Sequence, residues 1–356
     1  MSSTPIGQCQ PYDPRNANYP LNLWWVAGRS DELEDGKLVS RKLLGTDVLL
    51  YRKSDGSVAA MEDRCIHRGL PLSMGWLDGD KIVCRYHGFK YSHEGKLVEI
   101  PTQERCPKRG ALRTFPIVER APFLWIWMGP EGEADIEEVS DFPWLRDPNW
   151  VWAGGHLNIM ANYMLLKENV LDLTHFPFVH QTTFGALDDY EAAATFVQEG
   201  SRVAFIKEFN NQPLSPIYNK DLEWGDRLVN RTDKGMSVSP AEHLFTATIV
   251  DPNAGPGERS EYLFRFQHLT TPETNTTHHY WWAASRNYGV HDDASAWIAS
   301  IAQTAFAEDK EVLEAIQRRI NESPAPLELP EVSAIADQGG LMARRQLQAY
   351  MERESR

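Results

Sequence analysis

Apolar and polar residues alternate in short runs over the first third of the chain, and turn residues separate the runs. Lys37 to Leu44, Thr46 to Arg52 and Val58 to Asp63 read as strands, split by turn signals at Asp35-Gly36 and Ser54-Asp55-Gly56-Ser57. Ile82-Val83 adds a short apolar step, Ser92-His93-Glu94-Gly95 marks another turn, and Phe115 to Arg120 and Phe123 to Met128 finish the set. This pattern predicts a small antiparallel β domain. Gly129-Pro130-Glu131-Gly132-Glu133 and the acidic run to Asp141 then predict a surface connection.

Beyond it the elements lengthen. His156 to Tyr163 reads as a strand and Met164 to Phe176 as a helix, while Thr195 to Phe209, His243 to Val250, Tyr262 to Thr271 and His278 to Ser285 alternate like strands of a larger sheet. Gln212 to Met236 carry no clear period and are expected to form a long loop or lid. Helices are expected from Ala294 to Ile320 and from Gln338 to the end. The chain thus divides into a polar, Pro-rich arm (1 to 20), a first domain (21 to 135) and a second domain (136 to 356), an α+β organisation.

Composition narrows the function classes. At 356 residues, with 42% apolar residues, 12 Trp and 12 Tyr, the chain can bury a substantial core. A formal charge of −14 argues against nucleic-acid binding, which rests on clustered Lys and Arg, and permits docking with a basic protein. No signal peptide and no apolar run of membrane-spanning length is visible, so a soluble cytoplasmic protein with no membrane association is expected. The four cysteines, Cys9, Cys65, Cys84 and Cys106, are too few for a disulfide framework if two of them bind metal.

Two of them stand in a ligand pattern. Cys65-Ile66-His67 and Cys84-Arg85-Tyr86-His87 are separated by sixteen residues, each half holding one Cys and one His. Structural zinc usually keeps Cys with Cys and His with His. The mixed halves suit a Rieske [2Fe-2S] centre, in which two thiolates hold one iron and two imidazoles the other. Structural zinc is the competing reading.

The second loaded stretch runs from Glu168 to His180. Asn169, Asp172 and His175 are spaced i, i+3, i+6, so an unbroken helix would line them along one face. His180 would then lie about 140° around the axis from His175, and Pro177 is expected to break the helix and bring the two rings together. Two histidines with one carboxylate and open positions make the facial triad of non-haem Fe(II) oxygenases. A core histidine bonded to backbone is the plain alternative for either residue.

The flanks Arg68-Gly69 and Gly88-Phe89-Lys90-Tyr91 match the Rieske motif nearly letter for letter. With Leu269 to Thr274, Ser285 to Gly289 and Ala307 to Glu311, they make the chain resemble the Rieske non-haem iron aromatic oxygenases from Trp24 to about Arg319. Within that family it is similar to the small homotrimeric monooxygenases that remove O-methyl groups, of the dicamba and vanillate O-demethylase type. The resemblance implies a Rieske domain joined to a helix-grip-like catalytic domain with an antiparallel sheet covered by helices. It implies that Cys65, His67, Cys84 and His87 hold the cluster and that His175, His180 and Asp309 hold the mononuclear iron, with Glu308 as the rival to Asp309. By the same resemblance Asp172 would take the place of the bridging aspartate between His175 and His87 of an adjacent subunit, Asn169 would line the pocket, and His268 would face the substrate carboxylate, with a satisfied core histidine as the competing reading of His268. The strand Leu244 to Ile249 does not clearly supply the asparagine expected for dicamba-like binding.

A Rieske centre moves single electrons and an open ferrous ion binds O2, so the two centres are complementary. With no GxGxxG and no plant-type Cys run, the chain shows no flavin, NAD or second ferredoxin site, and a separate reductase or ferredoxin drawing on NAD(P)H is expected to supply electrons. The implied reaction is hydroxylation or O-demethylation of a small aromatic substrate, such as a methoxy-aromatic acid. Ring hydroxylation, dihydroxylation and N-demethylation use the same machinery. A Rieske electron carrier, or a zinc-stapled binding protein without catalysis, would leave the second constellation idle.

Overall fold

The computed structural model describes residues 19–107, 111–181, 183, 192–291, 294–323 and 331–354. The expected N-terminal arm and Cys9 lie outside the described residues, apart from Tyr19 and Pro20.

Ten short strands precede residue 130: β1 (Trp24–Arg29), β2 (Val39–Leu43), β3 (Thr46–Arg52), β4 (Val58–Glu62), β5 (Trp76–Asp78), β6 (Lys81–Val83), β7 (Lys90–Tyr91), β8 (Leu97–Glu99), β9 (Ile117–Arg120) and β10 (Phe123–Trp127). They form three antiparallel sheets, ordered β2-β3-β4, β5-β6-β7-β8 and β1-β10-β9. Leu49, Tyr51, Met61, Leu72, Ile82 and Tyr91 make a small core of their own beneath the two cysteines.

Packing there is tight enough to exclude a single methyl group. A Cβ added to Gly75, which lies between Leu72 and β5, would sit 2.0 Å from the carbonyl oxygen of Val83, and backbone cannot swing aside as a side chain can. Gly75→Ala is therefore expected to destabilise the domain by about 1–3 kcal/mol. A denaturant midpoint unchanged from the parent protein would show that β5 and β6 separate without cost.

The second half is built on a seven-stranded antiparallel sheet. Its strands are β11 (Val151–Ile159), β12 (Thr195–Glu199), β13 (Arg202–Pro213), β14 (Leu228–Ser239), β15 (Glu242–Val250), β16 (Glu261–Thr274) and β17 (Thr277–Arg286), in spatial order β11-β17-β16-β15-β14-β13-β12. Every residue of β17 is buried, because both faces of the sheet are covered. On one face Leu269, Trp281 and Ala283 pack with Trp24, Val26 and Trp125 of the first sheets. On the other, the rings of Tyr280, Trp282 and Phe266 meet Phe306 of the long helix Ala294–Glu322 edge-on, at 5.3 to 5.8 Å. Backbone bonds from Leu44 and Gly45 to the carbonyls of Pro272 and Glu273, at 2.7 and 2.9 Å, tie the halves together.

Three expectations are corrected. Thr195 to Phe209 is two strands, turned at Gly200, whose positive φ of 65° a glycine accepts without strain. The supposed lid over Gln212 to Met236 contains one helical turn, Pro216–Asn219, and most of β14. The buried positions of β14 after Val229 are Arg231, Asp233, Gly235, Ser237 and Ser239, so its period of two is carried by polar residues and leaves no hydrophobic trace. The third correction concerns the helix expected to run to Phe176. It spans Tyr163–Asn169, capped by Asn162, whose side chain accepts from Met164 N at 2.9 Å, and stops before Asp172, His175 and His180.

Candidate metal centres and active-site pocket

The Cys-x-His half at Cys65 and the Cys-x-x-His half at Cys84 sit on loops closed in the same way. Gly69 N bonds Cys65 O and Gly88 N bonds Cys84 O, each at 2.9 Å, while Cys65 N and Cys84 N bond Leu70 O and Phe89 O, each at 2.8 Å. Both glycines have positive φ, 77° and 70°, which lets each loop fold back on its cysteine. The thiols are buried and burial pushes Cys84 up, with Tyr91 Oη 3.2 Å from Cys65 Sγ. The imidazoles lie outward, their Nδ1 atoms 3.1 Å apart. One tetrahedral ion would draw all four donors into mutual contact, at metal bonds of about 2.0–2.3 Å. Among the described residues only His175, His180 and Asp309 gather three such donor atoms within 4.8 Å. The Cys and His pairs thus suit two metal atoms better than one zinc.

The second centre forms by a route the helical spacing did not predict. After Asn169 the chain leaves the helix, and Asp172, extended at φ −129° and ψ 101°, caps a new turn by accepting from Thr174 N at 2.9 Å. Pro177 does not push Phe176 out of the helical region, as expected; Phe176 is helical, and Pro177 opens the short helix Phe176–Val179. The break that reorients the histidines is at Val170 to Asp172.

His175 Nε2 and His180 Nε2 then approach Asp309 Oδ1, at 3.5 and 3.2 Å, from the long helix. His175 Nδ1 bonds the main-chain carbonyl of Asp172 at 2.6 Å, and His180 Nδ1 bonds Glu308 Oε2 at 2.8 Å. With each Nδ1–H donated outward, each Nε2 presents its lone pair inward, the tautomer a metal requires. Asn169 Nδ2 donates to Asp309 Oδ1 at 2.9 Å and steadies the carboxylate. Burial pushes the His175 pKa down; at His180 burial is outweighed by Asp309 and Glu308, which hold it above the ordinary value. The donor set fits a ferrous ion.

Asp309 and Glu308 therefore occupy different places, Glu308 behind a histidine and Asp309 among the donor atoms. The Asp172 carboxylate meets Thr174 and not His175. It also lines a surface cavity of about 320 Å³ with Ile316, Val332, Leu341 and Arg344.

A second cavity opens from the triad between Phe245, Phe264, Phe266 and Phe306. His268 lines it, with Nδ1 2.7 Å from Tyr280 Oη, and burial with the nearby Lys167 charge holds its pKa down at about 3, so the ring is neutral. His243 lines it too, and among the described residues neither of its ring nitrogens has a hydrogen-bond partner. Sequence reasoning passed over His243. Its place, directly across the ladder from His268, was available only through the pairing of β15 with β16.

Both halves of the chain match known proteins. Residues 23–116 match the Rieske [2Fe-2S] domain, and residues 159–353 match the vanillate O-demethylase oxygenase C-terminal domain. The chain belongs to the Rieske non-haem iron oxygenases. The oxygenase component of dicamba O-demethylase from Stenotrophomonas maltophilia is 34% identical over 303 residues, 84% of this chain and 88% of that one. The iron-sulfur subunit of a toluene-4-sulfonate monooxygenase system from Comamonas testosteroni is 32% identical over 326 residues, 89% of this chain and 93% of that one. A crystal structure of dicamba monooxygenase bound to 3,6-dichlorosalicylic acid superposes with a TM-score of 0.85 at 28% identity, covering 95% of this chain and 99% of that one. This Rieske oxygenase is accordingly the oxygenase component of a monooxygenase system, an oxidoreductase with a [2Fe-2S] centre and a mononuclear iron that uses O2 and partner-supplied electrons. None of the described helices is long and apolar enough to cross a membrane.

Proposed function

We propose that this chain hydroxylates or O-demethylates a small aromatic acid, with Cys65, Cys84, His67 and His87 holding the Rieske cluster and His175, His180 and Asp309 holding the iron. The observation that carries this reading is the convergence of His175, His180 and Asp309 at one end of a phenylalanine-lined cavity. When bound, the iron supplies O2 binding and C–H oxidation. The chain's own residues do the rest. Asp172 O and Glu308 fix the two imidazole tautomers, and Asn169 orients Asp309. The phenylalanines exclude water, and His268 and His243 offer hydrogen bonds to the polar group of the substrate. The toluene-4-sulfonate monooxygenase relative and the match to the vanillate O-demethylase oxygenase domain support an arene with an anionic group.

For an aryl methyl ether the balance is ArOCH3 + O2 + 2 e⁻ + 2 H⁺ → ArOH + HCHO + H2O. The electrons come from NAD(P)H through a separate reductase or ferredoxin. A homotrimer is part of the reading, supported by His67 and His87 being exposed, with the Tyr86 ring against His87, and by Asp172 bordering a surface cavity. The boundary near residue 135 and a cytoplasmic location complete the proposal.

Methoxybenzoates tested with a surrogate reductase should consume O2 and release one formaldehyde per phenol formed. Iron-loaded protein should hold about three iron atoms per chain, two of them in the cluster. Product without formaldehyde would place the chemistry on the ring, formaldehyde from N-methyl substrates alone would make it an N-demethylase, and absence of the third iron would end the oxygenase reading.

A further inference from the structure

One buried charge has no part in the chemistry above. Lys167 lies in the helix Tyr163–Asn169, two residues before Asn169, and is 2% exposed. Its Nζ donates to the main-chain carbonyl of Ser239 at 3.2 Å. A neutral carbonyl is a poor return for stripping water from an ammonium, a cost normally met by a negative partner.

The position of that ammonium is informative. Ser239 pairs across the hairpin with Glu242, and Ser237 with His243, so Nζ sits at the hairpin end whose next residue pair carries His243. His243 is in turn the cross-strand partner of His268. Adjacent residues of a strand face opposite ways. His243 lines the active-site cavity, while Glu242 lines a separate cleft where Ser140 Oγ donates to its carboxylate.

Glu242 is the acid whose charge acts on Lys167, and Lys167 in turn acts on both His243 and His268. Burial also disfavours the ionised form of Glu242, which weakens it as a counter-charge. Burial lowers the Lys167 amine to about 7, so below that pH the wall formed by two neutral imidazoles is backed by a cation that Glu242 only partly compensates.

We infer that Lys167 is a specificity-determining residue: acting through the His243 and His268 wall, it favours arenes carrying a carboxylate or sulfonate over neutral arenes of the same shape. The inference rests on the aromatic pocket proposed above. Lys167 touches neither substrate nor iron and works through the potential it sets up across the wall.

The test is calorimetric binding of 3-methoxybenzoate, 4-methoxybenzoate, benzenesulfonate and the matching amides to iron-loaded protein. Lys167→Met removes the charge at similar side-chain length, and Glu242→Gln removes the opposing one. The parent protein should bind acids more tightly than amides. At about pH 6, where the amine is protonated, Lys167→Met should weaken the acids about tenfold or more, as expected for removal of a unit charge in a partly screened interior, and leave the amides within about twofold. Glu242→Gln should strengthen the acids. Lys167→Met should also melt no lower than the parent, since replacing a buried charge by an apolar chain is often neutral or stabilising. Equal weakening of acids and amides would assign Lys167 a packing role and overturn the inference, as would acid binding indifferent to both variants. Amides bound in preference to acids would overturn it while sparing the aromatic pocket. No binding of any probe by the parent would end both.

Discussion

Asp309→Ala should lower turnover on the order of a thousandfold while leaving the Rieske cluster loaded. Asp309 Oδ1 is the atom on which His175 Nε2, His180 Nε2 and Asn169 Nδ2 converge, at 3.5, 3.2 and 2.9 Å. Alanine leaves two neutral imidazoles and an amide, a set with no charge to hold a ferrous ion. Loss of an outer-shell partner alone typically costs 10–100-fold in metal affinity or activity, and loss of a ligand should exceed that. Glu308→Gln supplies the comparison. It keeps an acceptor beside His180 Nδ1 and should fall only within that smaller range. Iron and acid-labile sulfide measured beside O2 uptake distinguish the cases. An Asp309→Ala protein with its third iron and its turnover intact would remove Asp309 from the centre.

Asp172→Asn should produce a different defect, about a hundredfold slower turnover with both iron centres fully loaded. The substitution is gentle on the fold. An asparagine can still cap Thr174 N, and the main-chain carbonyl that holds His175 Nδ1 is unchanged. What changes is a negative charge bordering a surface cavity, where the histidine of a neighbouring cluster could donate to it. Reducing the cluster chemically and following its reoxidation with substrate and O2 present isolates the transfer. Reoxidation at the parent rate would show that Asp172 serves only as a cap.

Much of this was legible in the sequence, and the reasons are particular. β2 to β4, β6, β9, β10, β15 to β17 and the two long helices announce themselves because their buried faces are apolar or their turns carry glycine in a fixed place, whereas β5, β7 and β8, only two or three residues long, are too short to show a period, and β1 is absent from the expected strands. β14 stayed hidden because its inward residues are Arg231, Asp233, Gly235, Ser237 and Ser239. The pairing of His175 with His180 was anticipated and its cause was not. Proline commonly ends helices, but Pro177 begins one here, and the break falls where Asp172 trades helix geometry for a side-chain cap. His243 and Lys167 drew no notice, since a lone histidine heading a strand and a lone lysine in a helix are ordinary until the ladder brings them to one wall.

The tryptophans at the junction of the two halves carry an evolutionary consequence. Trp24 and Trp125 share one interior with Trp281 and Leu269, and Thr271 Oγ1 donates to Val26 O at 2.7 Å, so the electron-storing half borrows its floor from the oxygen-handling half. Cutting the gene between them would bare indole surface on each fragment and invite aggregation. A lineage carrying this junction can vary its substrate cavity residue by residue, whereas swapping whole modules with a free-standing ferredoxin would demand that the seam be rebuilt first.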